Sequence, residues 1–311
     1  MRKILSIIII LLPFSMITRG QVITQIGKEN MKFATEKKKD QPSLRATDEI
    51  HVNVDSTSLY YVMIDSAQSC IEKHDWAAAE LYFRKALAAD PASNTNSMLL
   101  SNLATVQRYQ GKLNEALKNY TLALDLTPNA VTLLLNRAAL LLETGKTEEA
   151  IADFQRVRRQ DVGDAESRYS LGMIAIENGD LKTAEEMFNE IKIYSPKSAL
   201  SYEGFGMLYK KKGEYEKAID QLSQVIKAHP DARLLGNRAD CYLAIKRLND
   251  ATADIHQALQ LDPDDGYLYV LRAKLNKLRY NRTEMERDVD LAVSHGVDRH
   301  VVEQLLEIPS K

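Results

Sequence analysis

Five prolines set a ruler along this chain. Pro91, Pro128, Pro196, Pro230 and Pro263 lie 37, 68, 34 and 33 residues apart, a period near 34 in which the long gap hides one unit whose proline is replaced by Val162. Proline lacks a backbone N–H and restricts the residue before it, so it ends one helix and directs the next segment. With each proline at position 32 of a 34-residue unit, seven units start at Tyr60, Ser97, Val131, Ala165, Ala199, Ala232 and Gly266.

Every position then repeats its chemistry. Position 8 reads Ala67, Ala104, Ala138, Gly172, Gly206, Ala239 and Ala273. Position 20 reads Ala79, Ala116, Ala150, Ala184, Ala218 and Ala251, then Met285. Position 24 is large and apolar: Phe83, Tyr120, Phe154, Phe188, Leu222, Ile255 and Val289. Position 15 is Gly111, Gly145, Gly179 and Gly213 in four units, and His74 stands there in the first. Each unit holds two stretches with apolar residues at i, i+3, i+4 and i+7, the period of an amphipathic helix. Small residues at 8 and 20 let two antiparallel helices approach closely. Glycine at 15 supplies the positive φ that stops the first helix. No unit can bury its apolar face alone, so neighbours must stack.

This pattern resembles the tetratricopeptide repeat, a 34-residue helix-turn-helix unit. The resemblance covers Tyr60 to Val297 and implies an all-α, right-handed superhelical solenoid of about seven repeats. The seventh repeat, without its Ala, Gly and Pro, reads as a terminal capping unit. After His295-Gly296, Asp298 can cap a last helix through Leu306, with Val301, Leu305 and Leu306 covering the end of the stack. Pro309 closes it. The organisation expected is a signal segment at 1–20, a polar tether at 21–55, repeats over 56–297, and a capping helix and tail at 298–311.

The start of the chain is a targeting signal by composition. Arg2 and Lys3 precede the apolar run Ile4–Met16, and Arg19 closes it before the roughly 20 residues that a spanning helix needs. Cleavage after Gly20 is expected, the alternative being a retained anchor. Over the whole chain, 41 Lys and Arg against 43 Asp and Glu give a formal charge of -2, which offers no electrostatic case for nucleic acid. The tether carries Lys37-Lys38-Lys39. It reads as a solvated linker, or as a basic surface for an anionic membrane or partner. Cys70 and Cys241 lie five repeats apart and read as small buried apolar residues rather than a disulfide.

A search for chemistry returns little. The six histidines form no HExxH, no CxxC occurs, and no phosphate loop, dinucleotide fingerprint or nucleophile elbow is present. No enzyme activity, metal or cofactor is expected. Trp76 and Tyr215 share position 17 and read as packing between helices.

Positions 2, 5, 9 and 12 share one face of each first helix by spacing. The resemblance implies that this face lines a concave groove. The candidates are Arg108 in repeat two, Leu135, Ala139 and Leu142 in repeat three, and Tyr169, Met173 and Ile176 in repeat four. Glu203, Met207 and Lys210 follow in repeat five. Repeat six adds Arg233 and Asp240, and repeat seven Lys274 and Lys277. An apolar centre between charged ends suits a protein or peptide partner. The same residues could instead pack against their neighbours, or the binding surface could lie elsewhere.

Some family members hold chaperone C-termini in a two-carboxylate clamp. Asn136 and Asn237 match its middle Asn. Around Asn136 stand Ser101, Thr105, Glu166 and Ser170, and around Asn237 stand Glu203, Met207, Tyr267 and Leu271, so the clamp is not formed. The expectation is an exported scaffold or adaptor, most naturally in a bacterial periplasm. The alternatives are a lumenal co-chaperone, which the missing J-type segment and the ending Ile308-Pro309-Ser310-Lys311 disfavour, and a small-molecule or glycan sensor using Tyr169, Tyr202 and Tyr209. If the register is right, Ala150→Phe overpacks repeat three and costs about 1–3 kcal/mol in chemical denaturation; an unchanged midpoint would refute it.

Overall fold

The structure, a computed structural model, describes residues 56–307. The signal segment, the tether and the tail that closes at Pro309 fall outside the described residues. Fifteen helices and no strand are present among the described residues. Seven antiparallel pairs follow the chain. They are α1 (Ser56–Glu72) with α2 (Trp76–Ala89), α3 (Asn96–Tyr109) with α4 (Leu113–Leu126), and α5 (Val131–Glu143) with α6 (Thr147–Gln160). Next come α7 (Ala165–Glu177) with α8 (Leu181–Tyr194) and α9 (Leu200–Lys212) with α10 (Tyr215–Ala228). The last are α11 (Ala232–Ala244) with α12 (Leu248–Leu261) and α13 (Gly266–Leu278) with α14 (Arg282–Ser294), before the short α15 (Arg299–Leu305). The helices group into two compact units, residues 56–161 and 162–307. Repeats one to three make the first and repeats four to seven the second.

The register read from the prolines holds. First helices begin within one residue of the expected starts in repeats two to seven, and α1 begins four residues early at Ser56. Within each unit, every second helix packs on its own first helix and on the first helix of the following repeat. The alanines at positions 8 and 20 are wholly buried, at 0% exposure. The large residues at position 24 are buried throughout. In repeat four the fit admits nothing larger than glycine at position 8: a Cβ on Gly172 would lie 2.4 Å from the Phe188 ring.

Position 15 takes a left-handed conformation in all seven repeats. Gly111, Gly145, Gly179 and Gly213 have φ between 75° and 77°, while His74, Lys246 and Tyr280 have φ of 58°, 61° and 60°. The turn demands this geometry whatever residue is present, so His74 has the turn role expected of it. His229 and His295 close α10 and α14 as C-caps.

Side chains staple three of the repeats internally. Arg137, Arg238 and Arg272 at position 7 grip Asp153, Asp254 and Asp288 at position 23, sixteen residues on. Repeats one and two are joined by Glu80, which accepts from Arg84, Gln107, Gln110 and Lys112. Burial pushes its carboxyl up, but the hydrogen bonds led by Lys112 and Gln107 outweigh burial and hold it down at about 2. Trp76 stacks on Tyr109 at 4.7 Å, the packing role expected of it. Cys241 is buried and Cys70 half-buried, and both are free thiols.

The last helix differs in detail from expectation. Asp298 caps it, accepting from His300 and Val301 N–H, and Leu306 is its C-cap. The residues that cover the end are Val302 and Leu306, while Leu305 is exposed and Val301 only half-buried. A seven-residue helix presents i and i+4 to its neighbour, and residues beside that pair rotate outward.

Left-handed backbone strains any residue with a Cβ, by roughly 1–2 kcal/mol, partly offset by the entropy glycine loses on folding. Lys246→Gly should therefore stabilise the chain by about 0.5–1 kcal/mol in thermal or urea unfolding. A destabilised variant would mean that the lysine side chain makes a contact worth more than the strain.

Candidate functional site

The first-helix face differs between the two units. In the 56–161 unit it is partly open and apolar. Leu135, Ala139 and Leu142 are half-buried on α5. Arg108 of α3 donates to Glu143 at 2.7 Å, so its charge is already matched.

In the 162–307 unit the candidate residues divide. Tyr169, Met173 and Ile176 on α7 are buried, at 7%, 4% and 7% exposure. Met207 and Lys210 on α9 are half-buried and keep an open edge. Glu203 is buried, and two neighbouring repeats spend its carboxylate: the Tyr169 hydroxyl and Arg233 Nη2 both donate to Oε1, the latter at 2.6 Å. Burial, reinforced by Glu203, pushes the Tyr169 phenol well above its ordinary value. Lys210 donates to Asn237 at 3.0 Å and pairs with Asp240 at 2.9 Å, and Lys274 donates to the other Asp240 oxygen at 2.8 Å. Two polar ladders thus run from α7 through α9 to α11, and from α9 through α11 to α13.

These ladders bring Glu203 and Lys210 together with Arg233, Asp240 and Lys274. The partners are offset by thirty or thirty-four residues. Opposite charges at positions 5 and 2, or 12 and 9, of adjacent repeats were the available signal. Burial raises the Asp240 carboxyl, but Lys210 and Lys274 outweigh it and bring it below the usual carboxylate value. Burial likewise works against the Lys210 ammonium, yet Tyr267 and Asp240 hold it above its ordinary value. Four buried side-chain groups on first helices are left without a hydrogen-bond partner: Ser101 Oγ, Asn136 Nδ2, Ser167 Oγ and Arg233 Nε. Native interiors leave few such groups unspent. Among the described residues no group of three or more His, Cys, Asp or Glu could hold a metal ion, and no helix is long and apolar enough to cross a membrane.

Comparison with known proteins agrees with this geometry. The tetratricopeptide-repeat model matches residues 101–161, 140–199 and 204–266. A tetratricopeptide repeat protein from Parabacteroides merdae is 32% identical, with a TM-score of 0.68 over 80% of this chain and 98% of that one. The Hsp70-Hsp90 organizing protein of Triticum aestivum is 27% identical over 186 residues, 48% of this chain and 32% of its own. A DnaJ homolog subfamily C member 7 homolog of Dictyostelium discoideum is 22% identical over 260 residues, 75% of this chain and 48% of its own. The chain thus spans about a third to a half of the length of these two curated relatives.

Asp240 generates a prediction with a definite sign. Its folded-state carboxyl lies below the unfolded value of about 3.9, so its stabilisation is complete above that pH and is lost as pH falls through the folded value. Asp240→Asn should cost about 1–3 kcal/mol at neutral pH, with the gap to the parent narrowing below about pH 4. A gap independent of pH down to about 2 would assign the cost to packing rather than charge. The repeat register, the paired helices and the matched family model together place this chain in the tetratricopeptide-repeat family.

Proposed function

We propose that this chain is an exported scaffold or adaptor that holds a protein or peptide partner against the faces of its first helices, in a bacterial envelope and most naturally the periplasm. The observation that carries the binding role is the alignment of those faces. Glu203, Arg233, Lys210, Asp240 and Lys274 from successive first helices meet side by side, with half-buried Met207 and Leu200 open beside them. Fixed charges give register, and a flexible thioether gives an adaptable apolar contact. The unspent donor Arg233 Nε adds polar capacity on one of these helices, α11. Export is supported by the charged and apolar start of the sequence. Membrane contact is assigned only to an uncleaved signal or the basic tether.

A second reading, a co-chaperone adaptor, is favoured by the names of the two curated relatives. Against it, Asn237 is engaged with Lys210 and with the Arg233 carbonyl rather than poised for a carboxylate. A glycan or small-molecule sensor is disfavoured, because Tyr169 is buried with its hydroxyl bound to Glu203.

The test uses the full chain with a C-terminal tag, expressed in its native host. The mature mass should correspond to a chain starting at Gln21 and should be found in the envelope fraction; an intact cytoplasmic chain would overturn the location. Envelope partners are captured with the parent and with a Leu200→Glu, Met207→Glu variant, whose half-buried sites tolerate charge better than Tyr169 or Met173. Loss of a partner in the variant supports face binding, and retention by both moves the site to another surface. If no partner is captured, the sensor reading gains and a metabolite screen follows.

A further inference from the structure

The end of the last repeat is only partly covered. In repeats two to seven the first helix has thirteen or fourteen residues, whereas α15, which takes the place of a following first helix, has seven. Its Val302 and Leu306 pack with Val270, Ala273, Val289 and Ala292. The missing six residues correspond to about 9 Å of helix. Beside α15 there is a cleft of about 620 Å³ lined by α13, α14, α15 and their connections. Met285 and Val289 contribute its apolar lining. Met285 stands where the other repeats have a wholly buried alanine.

Two features of the rim point to an occupant. Tyr280 is 96% exposed, a large aromatic side chain that gains no burial within this chain. The charged lining holds four carboxylates, Glu286, Asp290, Glu303 and Glu307, against Lys277, Arg282 and Arg299, leaving an acidic excess. Glu286, Asp290 and Glu307 pair with Arg282, Arg299 and Lys277 at 2.9, 2.5 and 3.9 Å, while Glu303 has no ion pair within 4 Å among the described residues and acts on Arg299 only at longer range. The complementary chemistry lies in this same sequence. Residues 28–39 carry Lys28, Lys32 and Lys37-Lys38-Lys39 against Glu29 and Glu36, with Met31 and Phe33 among them.

We propose that residues 28–39 of one copy of this protein dock in the C-terminal cleft of a second copy. Met31 and Phe33 lie on Met285, Val289 and Tyr280, and the lysine run faces Glu286, Asp290 and Glu303. The contact joins a segment ahead of the first repeat to the end of the seventh, so it is head-to-tail and propagates unless the ring closes. The partner face proposed above lies on the first helices, of which only α13 contributes to both, through Lys274 there and Lys277 here.

The experiment mixes equal amounts of unlabelled and ¹⁵N-labelled full-length mature chain and couples lysines to carboxylates with a zero-length carbodiimide. Peptide mass spectrometry should find Lys32 or Lys37–Lys39 joined to Glu286, Asp290 or Glu303, with mixed-label pairs present. Sedimentation should show larger species as concentration rises and fewer as salt rises. The variant Glu286→Lys, Asp290→Lys, Glu303→Lys should weaken association about tenfold. Mixing it with a chain carrying Lys37→Glu, Lys38→Glu, Lys39→Glu should restore association; this rescue separates lost contact from a damaged fold. A monomer at all concentrations, cross-links confined to single-label pairs, or association unchanged by the charge reversal would each overturn the proposal.

Discussion

The close approach of small residues at positions 8 and 20 is the contact on which every other feature rests. At 0% exposure those alanines leave no gap for water, so the paired helices share a single buried seam. In repeats one to six a methyl group is the most that either position accepts, and Met285 takes position 20 only in the seventh. Where the space is smaller still, glycine takes position 8, and the ring of Phe188 or the branch of Leu222 fills the volume released at Gly172 and Gly206. Close packing of this kind makes the register rigid, because shifting a helix by one residue would bring a large side chain into the seam. The position-24 residue has apolar surface left over, and only a following helix can cover it. Each repeat therefore depends on the next, and the chain needs a distinct solution after the seventh.

Charge supplies what packing leaves undetermined. The Arg–Asp staple between positions 7 and 23 occurs in repeats three, six and seven. Repeats four and five place Leu171 with Met187 and Phe205 with Gln221 at those positions, and Phe205 packs edge-on to Phe188 at 5.9 Å. The two solutions are not equivalent. A buried ion pair gains little net stability after desolvation, but breaking one partner leaves a charge stranded. The staples thus act mainly against wrong pairings of helices that all share one apolar code. In repeats four and five, aromatic shape takes over that role.

The period told nearly everything local and little across repeats. Five prolines located the helix pairs to within one residue over six repeats, because a helix breaker and a close-approach residue each act on their own neighbourhood. Spacing along one helix places Tyr169, Met173 and Ile176 on a common face, but it does not say how far that face is rotated toward the next helix. Their burial is therefore visible only in three dimensions. The pairing of Lys210 with Asp240, and of Glu203 with Arg233, depends on the same rotation. The last helix shows the limit at its smallest: its cap and extent were readable from Asp298, while the choice of Val302 over Val301 turned on about 100° of helix rotation.

Those ladders also constrain what the face can bind. A partner cannot gain much by simply replacing Arg233 on Glu203 or Lys274 on Asp240, since it would have to restore every hydrogen bond that it displaced. The pairs are therefore better regarded as a fixed pattern of partial charge than as free sites. Contacts that add to the pattern are favoured: hydrogen bonds to donors not yet spent, and apolar contact with Met207 and Leu200 at the open edge. Preorganised groups lose little entropy when a partner arrives. The ladder holding two lysines around one aspartate retains a net positive charge, whereas the one joining Tyr169, Glu203 and Arg233 is neutral. Discrimination among partners on this unit then rests on matching that order of neutral and positive steps, and an acidic group set against Glu203 would meet repulsion that no rearrangement of buried α7 could relieve.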